Sequence, residues 1–95
     1  ADVNQMRTIA TSVKELDAEA ILIMGGIFEA KPALCVMIPQ SLVDERKWDA
    51  GAMIREAAKE IQGGGGGQKT LATAGGKNVD GIEKAINILK NFLSL

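Results

Sequence analysis

The 95-residue sequence contains no histidine, no tyrosine, one cysteine and two prolines. Without histidine, and with Cys35 as the sole thiol, an intramolecular disulfide is excluded and a zinc site lacks its ordinary ligands. The same absences leave no recognisable nucleophilic or general acid–base constellation. Aromatic side chains are limited to Phe28, Trp48 and Phe92, so the core must be built from Ile, Leu, Val, Met and Ala. Cys35 lies in the apolar run LCVMI and reads as a buried small hydrophobe, which fits a reducing compartment. The formal net charge of −1 gives no general attraction to nucleic acid or membrane, so local charge has to decide. No long apolar run is present either. Glu29, Lys31 and Pro32 interrupt residues 20–38, which makes that stretch a hairpin and not a membrane span. With acids and polar groups throughout the first twenty residues, no signal peptide is expected there.

What is present is an apolar fraction of 46%, enough for one folded domain. The sequence starts in mid-pattern without an initiator Met, and the expectation is a fragment of a larger protein. Val3, Met6, Ile9, Val13 and Leu16 recur at helical spacing and predict an amphipathic helix over about 3–16. AILIM (20–24) and ALCVMI (33–38) read as strands, with Glu29, Ala30, Lys31 and Pro32 as the turn. Gly25 and Gly26 inside the first strand point to a bulge or a close approach. Pro39 ends the second strand, and QSLVDERK is a short helical turn or loop.

A second helix has Asp49 as N-cap, Trp48 and Met53 as a hydrophobic staple, and a stripe of Ala50, Met53, Ile54, Ala57, Ala58 and Ile61. Gly63 is placed as its stop. LATA (71–74) reads as a short strand. A last helix carries Ile82, Ala85, Ile86, Leu89 and Leu93, capped by Asn78, or by Asp80 with Glu83. The fold class expected is α+β: a small mixed sheet built on an antiparallel hairpin and covered by about three helices.

Seven of the eleven glycines fall in one window, IQGGGGGQKTLATAGGKN (61–78). A flexible linker is disfavoured because patterned elements flank the window on both sides. A nucleotide P-loop is disfavoured because Gln68 separates the last glycine from Lys69, and the segment follows a helix where a P-loop follows a strand. A nucleic-acid backbone site fits better. No acid occurs from Ile61 to Val79, while Lys69 and Lys77 both do. Backbone amides with Gln68, Thr70, Thr73 and Asn78 are donors of the kind that contact phosphate and sugar. No aromatic lies nearby in sequence to stack bases, which points to backbone or shape recognition. Arg55 and Lys59 could extend the basic surface, although a solvated helix face explains them better.

The stretch AGAMIREAAKEIQGGGGGQKTLATAGGKNVDGIEKA, with the hairpin ILIMGGIFEAKPALCVMIPQSLV, resembles the C-terminal segment of bacterial alanyl-tRNA synthetases. The broader family is the DHH-associated domain, shared with RecJ-like phosphoesterases. The resemblance implies one domain over residues 1–95, the C-terminal part of a multidomain synthetase, cytoplasmic and with no membrane. It implies a non-catalytic tRNA-binding role that helps present tRNA to the aminoacylation and editing domains. Its partners would be tRNA and the upstream domains of the same polypeptide, with a homodimer left open. No cofactor is implied for this segment, whereas the parent ligase would use ATP, magnesium and zinc. The residues assigned to the nucleic-acid surface are Gly65, Gly66, Gly67, Gln68, Lys69, Thr73, Gly75, Gly76, Lys77 and Asn78. Two departures from the pattern stand out. Phosphoesterase relatives carry His after the glycines where this sequence has Gln68, which argues against phosphodiester hydrolysis. Val79 stands where relatives often have Pro. The competing readings are a protein-interaction or dimerisation module of the parent enzyme, and an accessory domain of a DHH-type phosphoesterase.

Overall fold

The computed structural model describes residues 3–93. Its elements are α1 (Val3–Leu16), β1 (Leu22–Phe28), β2 (Lys31–Met37), α2 (Gln40–Arg46), α3 (Ala50–Ala58), β3 (Gly64–Gly67), β4 (Leu71–Gly75) and α4 (Ile82–Phe92). The strands form one sheet in the order β1-β2-β4-β3, and every pairing is antiparallel. The α+β class is therefore as expected, but the sheet is wholly antiparallel instead of mixed, and four helices accompany it. The reason is that the glycine run is itself a strand. Two tight hairpins, β1–β2 and β3–β4, lie side by side, and a tight hairpin joins only antiparallel strands.

The first hairpin turns on Glu29 and Ala30 alone, both with positive φ (54° and 65°), as a type I′ turn requires. Lys31 and Pro32, expected in the turn, instead open β2. Pairing runs unbroken from Leu22↔Met37 to Phe28↔Lys31, so Gly25 and Gly26 make no bulge. They mark a close approach: a Cβ on Gly25 would lie 2.8 Å from Cδ1 of Ile86 on α4.

Alternation along β2 divides the core between the two sheet faces. Leu34 and Val36, with Ala72 and Ala74 of β4, meet Ile54, Ile61 and Leu89 beneath α3 and α4. The whole predicted α3 stripe is buried. Asp49 caps α3 as expected, its Oδ1 accepting from the amides of Gly51 (2.9 Å) and Ala52 (3.3 Å).

On the other face, Ala33, Cys35 and Met37 lie beneath Met6 and Ala10 of α1. This helix is rotated from the expected stripe. Ile9 and Leu16 are 51% and 88% exposed, whereas Met6 and Ala10 are buried and Val13 is half-buried. The side chain of Val3 lies outside the described residues. Ala10, with its small side chain, lets α1 approach the sheet closely, and that turns Ile9 outward. Arg7 fixes the same rotation by donating from Nη2 to Thr73 Oγ1 at 3.0 Å.

Two expected boundaries also move. The chain leaves α3 through a 3₁₀ turn (Lys59–Ile61) and reverses at Gln62, whose φ is 53°. Gly63 is thus past the stop, and any side chain there would strike the carbonyl of Gly75. Helix α4 begins only after a second 3₁₀ turn (Val79–Gly81), and no side chain caps it. Asn78 is engaged elsewhere, its Nδ2 donating to the carbonyl of Glu60 at 3.3 Å. Among the described residues no helix is long and apolar enough to cross a membrane.

Candidate nucleic-acid interface

The glycine run becomes a strand because it is pressed edge-on against β4 and alongside α3. A Cβ on Gly65 would collide with the carbonyl oxygen of Thr73 and lie 2.6 Å from Cα of Ala74. A Cβ on Gly64 would meet nothing within 4 Å. Steric need thus alternates along the strand, and Gly64 leaves bare backbone where a side chain would fit. Residues 68–70 connect β3 to β4, with the Gln68 amide donating to the Leu71 carbonyl at 2.9 Å. Since Gln68 and Leu71 form a hydrogen-bonded pair, alternation turns the N–H and C=O groups of Gly65 and Gly67 away from β4 to the outer edge, where the Gly67 carbonyl packs against α3, 3.2 Å from a Cβ position on Gly51. The guanidinium of Arg55 on α3 reaches over this edge, its Nη1 lying 3.8 Å from a Cβ position on Gly66.

The ten residues predicted from sequence fall into two groups at opposite ends of the β3–β4 hairpin, with Thr73 between them. Gln68 and Lys69 are exposed at the connection. That connection is stitched to the rest of the domain, since the Lys69 carbonyl accepts from Ala50 N and the Thr70 carbonyl from Ile38 N, both at 2.9 Å. Lys69 shares a surface depression with Asp44, Lys47 and Asp49. The acid-free stretch of sequence is therefore not acid-free in space at this end.

The other end is different. Gly75, Gly76 and Lys77 border an open pocket of about 380 Å³ whose remaining walls include Phe28, Lys31, Pro32 and Gln62. Two lysines face it, and among the described residues no carboxylate lines it. The pairing Ala33↔Gly75 brings these groups together across more than forty residues of chain. The loop backbone is already engaged: Gly76 N donates to Pro32 O (3.1 Å), and Lys77 N and Asn78 N both donate to Ile61 O (2.8 and 2.9 Å). These amides consequently hold the rim in place and are not free for an anion. Thr73 is buried beneath α1 with its hydroxyl accepting from Arg7. Asn78 ties the loop to Glu60.

Phe28, Lys31 and Arg7 are not legible in the sequence as neighbours of the glycine window, because only strand pairing and helix packing bring them there. Arg55 is visible as a basic residue near Lys59, but Lys59 pairs with Glu56 at 3.0 Å on an exposed helix face. Such a pair contributes little. Cys35 is fully buried, and that burial pushes its thiol up from 9.0 to about 11, with the Arg7 charge acting the other way. It stays a neutral apolar group at physiological pH. Among the described residues no group of three His, Cys, Asp or Glu side chains could hold a metal ion.

A four-stranded antiparallel sheet with helices on both faces, a glycine edge strand and a lysine-flanked pocket define a small α+β domain. The chain belongs to the DHHA1 domain family, whose model matches residues 1–95. It is 41% identical over 93 residues to an alanine–tRNA ligase of Cytophaga hutchinsonii, and 40% identical over 96 residues to that of Parabacteroides distasonis. These alignments cover 98% and 100% of this chain but 11% of each relative, so the chain spans about a tenth of their length. Among solved structures it is similar to the C-Ala domain of the Aquifex aeolicus alanyl-tRNA synthetase, with a TM-score of 0.84 and 27% identity. That match covers all of this chain and 84% of the other.

Proposed function

We propose that this chain is a non-catalytic tRNA-binding domain of a cytoplasmic alanine–tRNA ligase, one that helps present tRNA(Ala) to aminoacylation and editing domains lying outside it. The observation that carries this reading is similarity of the whole chain to a C-Ala domain, combined with an end of the sheet where lysines, and among the described residues no carboxylates, line a pocket. Gly65, Gly66, Gly67, Gln68 and Lys69 would form one contact region, and Gly75, Gly76 and Lys77 the other. Thr73 and Asn78 support these surfaces from behind. Contacts of this type go to phosphate and sugar and position the RNA without reading its sequence. Gln68, in place of a histidine, keeps a phosphoesterase accessory role the weaker alternative.

The test is a titration of this chain with tRNA(Ala) at rising salt. Weak binding that falls linearly with log salt is expected. Removing Lys69 and Lys77 together should lower the slope by about 0.7 to 0.9 for each phosphate left without its cation. Salt-insensitive self-association with no tRNA binding would replace this reading with an interaction module.

A further inference from the structure

The pocket at the 75–77 end has features that backbone binding does not require. Its volume, about 380 Å³, lies at the lower end of the range of small-ligand sites. Half-buried Phe28 supplies apolar wall, and Lys31 and Lys77 stand on the pocket's two sides, one from the first hairpin and one from the loop after β4. Both lysines are exposed, and neither forms an ion pair among the described residues. The nearest acid in sequence, Glu29, sits in the hairpin turn and does not line the pocket. The rim is preformed by the three hydrogen bonds that its backbone amides donate to Pro32 and Ile61, so little ordering is needed when a ligand enters. Gly75 leaves the opening clear, since a Cβ there would meet nothing within 4 Å.

We propose that this pocket receives one unpaired nucleotide of the bound RNA, its base against Phe28 and its phosphate between the ammonium groups of Lys31 and Lys77. Sequence alone offers no aromatic beside the glycine window, and the fold supplies one. A flat apolar ring carrying a phosphate anion is the ligand class that an apolar wall flanked by two lysines complements. Recognition of unpaired bases on aromatic side chains is the common mode for RNA. The inference rests on the RNA-binding reading above and adds to it a specific subsite.

Two probes separate the subsite from the general function: 5′-AMP followed by amide NMR, and tRNA(Ala) followed by equilibrium binding. The variants are Gly75→Leu, which fills the opening without altering charge, and Lys31→Ala, which leaves the opening unchanged. AMP should shift the amides of Gly63, Gly76 and Lys77, and Gly75→Leu should abolish those shifts. Loss of one stacked base should weaken tRNA binding about tenfold in Gly75→Leu. Lys31→Ala should weaken both ligands, which keeps the test open if the leucine variant does not fold. Unchanged tRNA affinity in folded Gly75→Leu, or AMP shifts elsewhere on the domain, would overturn the subsite and leave the general function intact. AMP binding at the pocket with no tRNA binding at all would overturn the general reading, and the RNA assignment with it.

Discussion

The two edges of the sheet are built in opposite ways. At the β1 edge, Leu22, Met24 and Phe28 pack toward α1, while Ile23 packs toward α3 and α4. Side chains hold that strand, and Gly25 is there because Ile86 presses on it. At the β3 edge all four residues are glycine, and the strand is held by its backbone alone, against β4 on one side and α3 on another. The contrast shows that glycine has three meanings in this chain. Gly25 yields room to a flexible side chain, Gly65 is enforced by a neighbouring backbone, and Gly64 is unconstrained. Only the last kind leaves surface that folding does not explain, and such surface is where a functional reading has most to say.

Gly65→Ala should break the contrast most severely. The new methyl group meets the backbone of Thr73 and Ala74, which cannot move without parting the hairpin, and a loss of about 3 kcal/mol is expected in chemical denaturation. A loss below about 1 kcal/mol would show that β3 is free to shift away from β4. Next comes the central strand on which both edges depend. The Cys35 thiol titrates near 11 in the folded chain against 9.0 for an unburied thiol, so its contribution to stability is complete below pH 9. Between pH 9 and 11 the unfolded chain loses its proton first, and stability should fall by about 3 kcal/mol on passing through the folded value. Cys35→Ser or Cys35→Ala should remove that alkaline component from a stability–pH curve. An unchanged curve would mean that Cys35 is not sealed between α1 and the sheet.

Gly25→Ala tests the other edge. Its closest neighbour is the far end of the Ile86 side chain, which can change rotamer, so a cost of about 1 kcal/mol is expected from the same denaturation measurement. The smallest effect belongs to Gly64→Ala, within about 0.5 kcal/mol of the parent protein. Equal losses at Gly64 and Gly65 would erase the distinction between an enforced glycine and an unconstrained one.

Much of this domain is legible in the sequence, for local reasons. The stripe of α3 and its Asp49 cap are readable because helix periodicity and capping act within a few residues. The strands of the first hairpin and LATA are readable from their β-branched and apolar content. The departures also have physical causes. Residue size points to Ile9 and Leu16 as the inward side of α1, whereas packing selects the small Ala10 and exposes both of them. Asn78 looks like a cap, but its side chain finds a carbonyl eighteen residues away. The glycine run gives no strand signal, because glycine has no strand preference of its own.

The candidate surface divides in the same way. Lys69, Lys77 and the glycines are visible as an acid-free window, since composition needs no structure. Charge in space is not visible: Lys69 comes to lie beside Asp44 and Asp49, while Lys77 comes to face Lys31. The sequence by itself determined which elements exist, that they make one α+β domain, and that lysines flank a run of glycines. Tertiary structure alone decided that the run is an edge strand, and that Phe28 and Lys31 meet the 75–77 loop. The reason is register. Pairing Ala33 with Gly75 is settled by which faces bury their apolar side chains, a long-range competition that no local stretch of residues encodes.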